Sequence, residues 1–301
     1  MKFLSEKHAR IYSRILFSAV LVFVSYYIFK SFSDIQGHLH QIKYTSIVLS
    51  FFFTLIAYLL SLLVWIRLIA AFGLKSDFIS EAKAWSVSQL GKYMPGKAGV
   101  LLVRLDANKN HPKKTVTLAI LIEFVTAFIA SCLLILFSIL FLGEAIPYYF
   151  KIIALICSIL LLIFLHPKLL KPLTNSALKY FNREPIQIFP SFSLILKFVL
   201  INILIGIPYG LGLYFSMNCF ADVNFAYIVP ITGVYYLASL VGIAALFAPA
   251  GIGVREGVIF LVLPALIAKQ VVIAGTIMIR IISIAVEISL ALFFYYLNSK
   301  K

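Results

Sequence analysis

Residues 223–254 read VNFAYIVPITGVYYLASLVGIAALFAPAGIGV, with Asp222 before them and Arg255-Glu256 after. This is a run of 32 residues without a charge. As a single helix it would be about 48 Å long, well beyond a hydrocarbon core of about 30 Å. Pro230, Gly233, Gly242, Pro249, Gly251 and Gly253 interrupt it. The next uncharged run, 257–268, has 12 residues and would reach about 18 Å, too short to cross. A long arm, a Pro/Gly break with charges at its tip and a short returning arm read as a re-entrant hairpin. Two ordinary spans with a tight junction are the alternative. Irregular backbone at membrane depth is tolerated only where protein or a wet cavity surrounds it.

The rest of the chain has the same character. Of its 301 residues, 62% are hydrophobic and 12% charged, whereas soluble domains average about 45–50% and about 25%. A soluble globule, a disordered chain, a nucleic-acid-binding domain and a disulfide scaffold are excluded. The expectation is one all-α polytopic integral membrane domain over 1–301, with no nucleic-acid partner. Cys132, Cys157 and Cys219 have neither metal-knuckle nor redox spacing. No two of His8, His38, His40, His111 and His166 lie four apart on an apolar helix. No cofactor is expected.

Further apolar runs lie at 15–29, 44–66, 115–143, 146–165, 198–221 and 270–298. Six full spans plus two re-entrant hairpins are expected, or eight spans. Lysine and arginine crowd the N-terminus, the 67–114 loop, the loop after His166 and the tail. The positive-inside rule assigns all of these to the cytoplasm, including both termini.

The 67–114 loop contains a counterpart of the break. Pro95-Gly96-Lys97-Ala98-Gly99-Val100 precedes Arg104, and Pro249-Ala250-Gly251-Ile252-Gly253-Val254 precedes Arg255. Each follows two spans on the hairpin reading. The chain then divides into repeat halves, about 1–143 and 144–301, of opposite orientation. Inverted repeats of this kind place substrate near the midplane, where broken helices meet. Pro95, Gly96, Gly99, Pro249, Gly251 and Gly253 are the structural motif.

Glu123, Arg280 and Glu287 lie within apolar helices, where each costs about 2.5–3.5 kcal/mol at the bilayer centre on insertion scales. Arg280, Ser283 and Glu287 share a helix face that must point inward. Internal pairing, for example of Arg280 with Glu123 or Glu287, is one reading. A site for an anionic headgroup is the other. At the second break, glycines would let backbone N–H groups approach a ligand, and a helix starting near Arg255 would aim its positive end at an anion. Lys92, Lys97 and Arg104 are the basic residues of the first motif. Tyr235 and Tyr236 suit either a cavity wall or an aromatic belt.

Gly91-Lys92-Tyr93-Met94-Pro95-Gly96-Lys97, Arg104, Glu123, residues 249–257 and Arg280 resemble the lysylphosphatidylglycerol synthase transmembrane family. This flippase-like domain is the membrane half of multiple peptide resistance factor proteins. The chain departs from the family pattern at Phe124 and Thr126, where the family has an arginine and an acidic residue. The resemblance implies a bacterial inner-membrane protein that moves a phospholipid or lipid-linked intermediate between leaflets. Five residues follow Tyr296, so no soluble aminoacyl-transferase domain is expected, and a separate lipid-modifying enzyme would supply any aminoacylated lipid.

On this reading Arg255 and Arg280 hold the lipid phosphate. Lys97 and Arg104 attract headgroups at the cytoplasmic mouth. Glu123, Glu256 and Glu287 pair with these cations or with a cationic headgroup. A membrane-embedded transferase acting on a lipid phosphate, with Glu256 or Glu123 as general base, is an alternative. An accessory subunit in envelope glycolipid assembly is another. A homo-oligomer is left open.

Overall fold

A computed structural model describes residues 42–74, 76–93, 99–141, 148–164, 167–180, 191–245 and 248–299. The expected first span, 15–29, lies outside the described residues, as do Pro95, Gly96 and Lys97. Ten α-helices are found among the described residues: α1 (Tyr44–Ala71), α2 (Phe78–Leu90), α3 (Gly99–Ala107), α4 (Lys113–Leu140), α5 (Tyr148–Phe164), α6 (Pro167–Tyr180), α7 (Phe192–Asn218), α8 (Ile228–Ala244), α9 (Val254–Val262) and α10 (Lys269–Ser299). Among the described residues, five segments are long and apolar enough to cross a membrane: α1, α4, α7, α10 and Phe225–Ala244, which is α8 with its leading turn. At the expected span 146–165 the described helix is α5, whose 17 residues make about 26 Å, and it is not among these five.

The helices bury polar residues within an apolar core and expose large apolar side chains. In α1, Ser46, Ser50, Thr54, Tyr58 and Trp65 are buried, while Val48, Phe52 and Leu63 are exposed. In α10, Thr276 and Glu287 are buried and Ile281, Ile288 and Leu292 are exposed. Water would reverse this arrangement, whereas lipid favours it, because only the inner face can satisfy polar groups.

α7 is the hub and packs against α1, α4, α8 and α10. Small residues permit the close approach that helix association in lipid requires. The Ser50 hydroxyl donates to the Gly212 carbonyl at 2.7 Å. A Cβ on Gly275 of α10 would sit 2.7 Å from the Met217 Cα of α7, so that contact admits only glycine.

Three contacts fix which helix ends share an end of the bundle. Lys43 N–H donates to the Cys219 carbonyl at 3.0 Å, and Lys43 pairs with Asp222. The start of α1 therefore lies beside the end of α7. Ser80 at the start of α2 meets Asn298 at the end of α10, Oγ to Oδ1 3.2 Å. Ser138 near the end of α4 lies against Gly233 near the start of α8.

Two segments are broken. α2 is capped by the Asp77 carboxylate, which accepts the Ser80 N–H. Its 13 residues make about 20 Å, and the nine of α3 about 14 Å. A 3-10 turn, Gly91–Tyr93, ends α2. In the second segment, α8 stops at Ala244, and a 3-10 turn over Pro249–Gly251 leads into α9, which has nine residues. Ala250, Gly251 and Gly253 have φ of 52°, 69° and 81°, the left-handed region that helices do not continue through. The two turns, Gly91–Tyr93 and Pro249–Gly251, contact each other inside the bundle.

Gly275→Val should lower the unfolding midpoint in detergent, with a loss of about 1–3 kcal/mol. Gly257→Val, where a Cβ meets nothing within 4 Å, should stay within about 0.5 kcal/mol. Equal midpoints for the two variants would contradict this account of the α7–α10 contact.

Candidate functional site

Ionised side chains gather at three knots around the two breaks. The first joins α3 to α4. Arg104 grips Glu123 with both terminal nitrogens: Nη1 pairs with Oε2, and Nη2 lies 3.4 Å from Oε1. Arg104 Nε donates to Ser88 Oγ at 3.0 Å. Its guanidinium stacks 4.3 Å from the Trp65 ring centroid, and Trp85 Nε1 donates to Glu123 at 3.2 Å. Arg104 is buried and fully engaged. Beside it, buried Glu81 accepts from Trp65 Nε1 at 2.8 Å.

The second knot centres on Glu287 of α10. Its Oε1 accepts from Lys92 Nζ and from the Tyr58 hydroxyl, and its Oε2 accepts from the Tyr93 hydroxyl at 3.1 Å. The carboxylate is buried and has three donors, two of them from the first break.

The third knot lies at the second break. Glu256, three residues into α9, accepts the Gly253 N–H at 2.6 Å and closes the helix start on itself. The positive helix end expected to meet an anion is thus occupied by the chain's own carboxylate. The other Glu256 oxygen lies 3.8 Å from Arg280 Nε. Arg280 Nη2 is buried without a hydrogen-bond partner among the described residues. Arg280 also lies 5.7 Å from the Tyr93 ring, which links this knot to the second. Arg255 donates to Ser239 Oγ at 2.8 Å and sits 5.4 Å from the Tyr235 ring centroid. No carboxylate lies within ion-pair distance of Arg255 among the described residues.

The glycines of this break act on Arg255. A Cβ on Gly242 would meet Arg255 Cγ at 2.5 Å, and one on Gly251 would meet it at 3.0 Å. Both positions clear a path for the arginine stem rather than for a ligand's approach to backbone.

A cavity of about 30 Å³ opens between Tyr235, Arg255, Glu256, Thr276, Arg280 and Ser283. That is room for about one water molecule. A wider, open depression beside Ala70, Gly73 and Asp77 lies at the α1–α2 turn and shares no lining residue with the Arg255–Arg280 cavity.

The structure thus gathers Arg255, Glu256 and Arg280 at one cavity and puts Glu287 two turns further along α10. It pairs Arg104 with Glu123 elsewhere. Arg280 pairs with neither Glu123 nor Glu287; each carboxylate takes a cation from a break. Gly99 starts α3, packed against Gly91. Pro249, Gly251 and Gly253 form the second break. Tyr235 lines the cavity and stacks on Tyr209 at 5.3 Å, the cavity-wall option rather than the belt. Sequence reasoning missed Tyr58, Trp65, Glu81, Trp85, Ser239 and the role of Tyr93. Only Tyr93 carried a signal, its place within Gly91-Lys92-Tyr93.

Arg104→Met should destabilise the protein by about 3–5 kcal/mol, because it strands a buried carboxylate. Adding Glu123→Leu should recover most of that loss. A double variant no more stable than Arg104→Met in detergent unfolding would show that the pair is not the source of the effect.

The lysylphosphatidylglycerol synthase TM region matches residues 11–290. No curated protein matches the chain. With a match over nearly its whole length and, among the described residues, five helices suited to crossing a membrane, the chain is a multi-pass membrane protein that belongs to the lysylphosphatidylglycerol synthase TM region family.

Proposed function

We propose that this protein translocates a phospholipid or lipid-linked intermediate between the leaflets of a bacterial inner membrane, without hydrolysing it. The observation that carries this reading is a pair of arginines at one polar cavity. Arg280 has a buried guanidinium nitrogen without a partner among the described residues, and Arg255 meets Ser239 and the Tyr235 side chain, with no carboxylate at ion-pair distance among the described residues. Arginine forks suit phosphate oxygens, and an ionised group at membrane depth is by default a functional one. The acyl chains stay in lipid while the headgroup passes through the interior.

The two broken segments act as re-entrant hairpins entering from opposite ends, and the halves, about 1–143 and 144–301, form an inverted repeat. Contacts between helix ends support this. α2 starts where α10 ends, whereas α8 starts where α4 ends and follows the end of α7. The tips of the two segments touch. A headgroup is larger than a cavity of about 30 Å³, so it enters only when the tips part. Lys92 and Tyr93 on Glu287 hold the first tip against α10. Lys97 and Arg104 serve the cytoplasmic end, Arg104 through its hold on Glu123.

Neither carboxylate considered as a general base is free in this arrangement. Glu256 is held by Gly253 and Arg280, and Glu123 by Arg104 and Trp85. That favours translocation over lipid-phosphate transfer.

In liposomes with tail-labelled lipids, the protein should move label between leaflets, measured as the fraction protected from an impermeant quencher. Arg255→Ala and Arg280→Ala should each slow this at least about tenfold, the equivalent of about 1.4 kcal/mol. Unchanged rates in both variants would remove the site from the mechanism.

A further inference from the structure

We infer that the outer groove between α1 and α7 binds an anionic phospholipid, as a resident lipid rather than as cargo, with the lipid phosphate between Arg67 and Lys197. The inference is independent of the translocation reading and needs only that both helices cross the membrane. Arg67 lies four residues before the end of α1, and Lys197 five residues after the start of α7. These are distances of about 6 Å and about 7.5 Å from the helix ends. Both residues are exposed, and no ion pair involves either among the described residues.

Contacts between the helices set the two cations level. Ser46 meets Asn218, Ser50 meets Gly212 and Tyr58 meets Tyr209, so α1 and α7 run antiparallel. Arg67 comes nine residues after Tyr58 and 17 after Ser50, which in that register brings it opposite residues 195–200. Helical periodicity puts both cations on the same side of the pair. Arg67 follows Leu60 by two turns, and Lys197 stands between Leu194 and Ile201 on its helix face. Leu60, Leu194 and Ile201 all pack where α1 and α7 meet. The other side of the pair is filled by α4, through Leu118 and Ile122 beside Phe198 and through Ile129 and Ala130 beside Ile195 and Val199. Each cation therefore stands on the outer shoulder of its helix, next to the partner helix.

From the cations toward the membrane interior run Leu59 and Leu63 on α1 and Leu200 and Leu204 on α7, all exposed. They form an apolar track for an acyl chain. Arginine and lysine stems reach from this depth to the headgroup layer, where phosphate oxygens are the acceptors and the arginine fork takes two of them. Each cation close to the surface raises binding of anionic lipid about fivefold. A zwitterionic lipid brings an ammonium group that opposes the pair, whereas a net-anionic lipid brings none.

The test places a fluorescent indole in the groove by Leu200→Trp, in the full chain reconstituted into vesicles. Trp65 and Trp85, both buried, give the baseline without the substitution. Phosphatidylglycerol with brominated acyl chains is titrated against phosphatidylcholine, and the reverse, and quenching gives the relative affinity beside the introduced indole. Phosphatidylglycerol should be preferred at least about tenfold. Adding Arg67→Gln with Lys197→Gln should abolish the preference. If that double change does not fold, each substitution alone should lower the preference about fivefold. Lys109→Gln with Lys113→Gln removes the same charge from exposed residues at the start of α4, and should leave the preference intact. A preference that survives loss of Arg67 and Lys197, or that falls equally in the Lys109 and Lys113 control, overturns the inference in favour of general surface attraction. Equal quenching by the two lipids in the otherwise unchanged chain also overturns it. So does no quenching by either, the result expected if residues 1–41 or a second copy of the chain cover the groove.

Discussion

Glu287 holds three segments of the chain together. Its two oxygens take a tyrosine from α1 and a lysine and a tyrosine from the first break. A carboxylate on a helix long enough to cross a membrane would be opposed by about 2.5–3.5 kcal/mol if unmatched at the bilayer centre. Satisfying it requires α1, the Gly91–Tyr93 turn and α10 to meet at one depth. The requirement works in both directions, because the turn ends a helix too short to cross and must itself be enclosed by protein.

Arg280 stands two turns earlier on the same inward face of α10. Tyr93 touches both groups, donating to Glu287 and lying 5.7 Å from the Arg280 guanidinium. The first break is thus coupled to the arginine cavity at the second. Moving the first turn away from α10 would break the Lys92 and Tyr93 contacts to Glu287 and part Tyr93 from Arg280. By contrast, the Arg104–Glu123 pair is doubly hydrogen-bonded, with Arg104 stacked on Trp65 and Glu123 held by the Trp85 N–H, a joint between α3 and α4.

Much of the fold was legible in the sequence, because apolar runs of 20 or more residues have few alternatives in lipid. The second break could be read from Pro249, Gly251 and Gly253, whose backbone freedom a helix does not use. The choice of partners could not. Lys92 and Glu287 are 195 residues apart, and their meeting depends on the register between α10 and a turn that neither local sequence encodes. Tyr58 and Trp65 look like ordinary members of an apolar run, and only burial shows them to be donors. Glu256 was read as a charge beside Arg255, yet its spacing from Gly253 is also that of a helix cap, a local signal that charge-centred reasoning passes over. The glycines around Arg255 had a similar ambiguity. Whether they admit a ligand or an arginine stem depends on what packs against them.

The central claim is that the two turns meet midway through the membrane and hold cations there. A cryo-electron microscopy map of the full chain in lipid nanodiscs tests it directly. The account predicts both turns and Arg280 midway between the two headgroup layers, with the Arg280 guanidinium facing the protein interior. Either turn at headgroup level, or Arg280 directed into acyl chains, would contradict it.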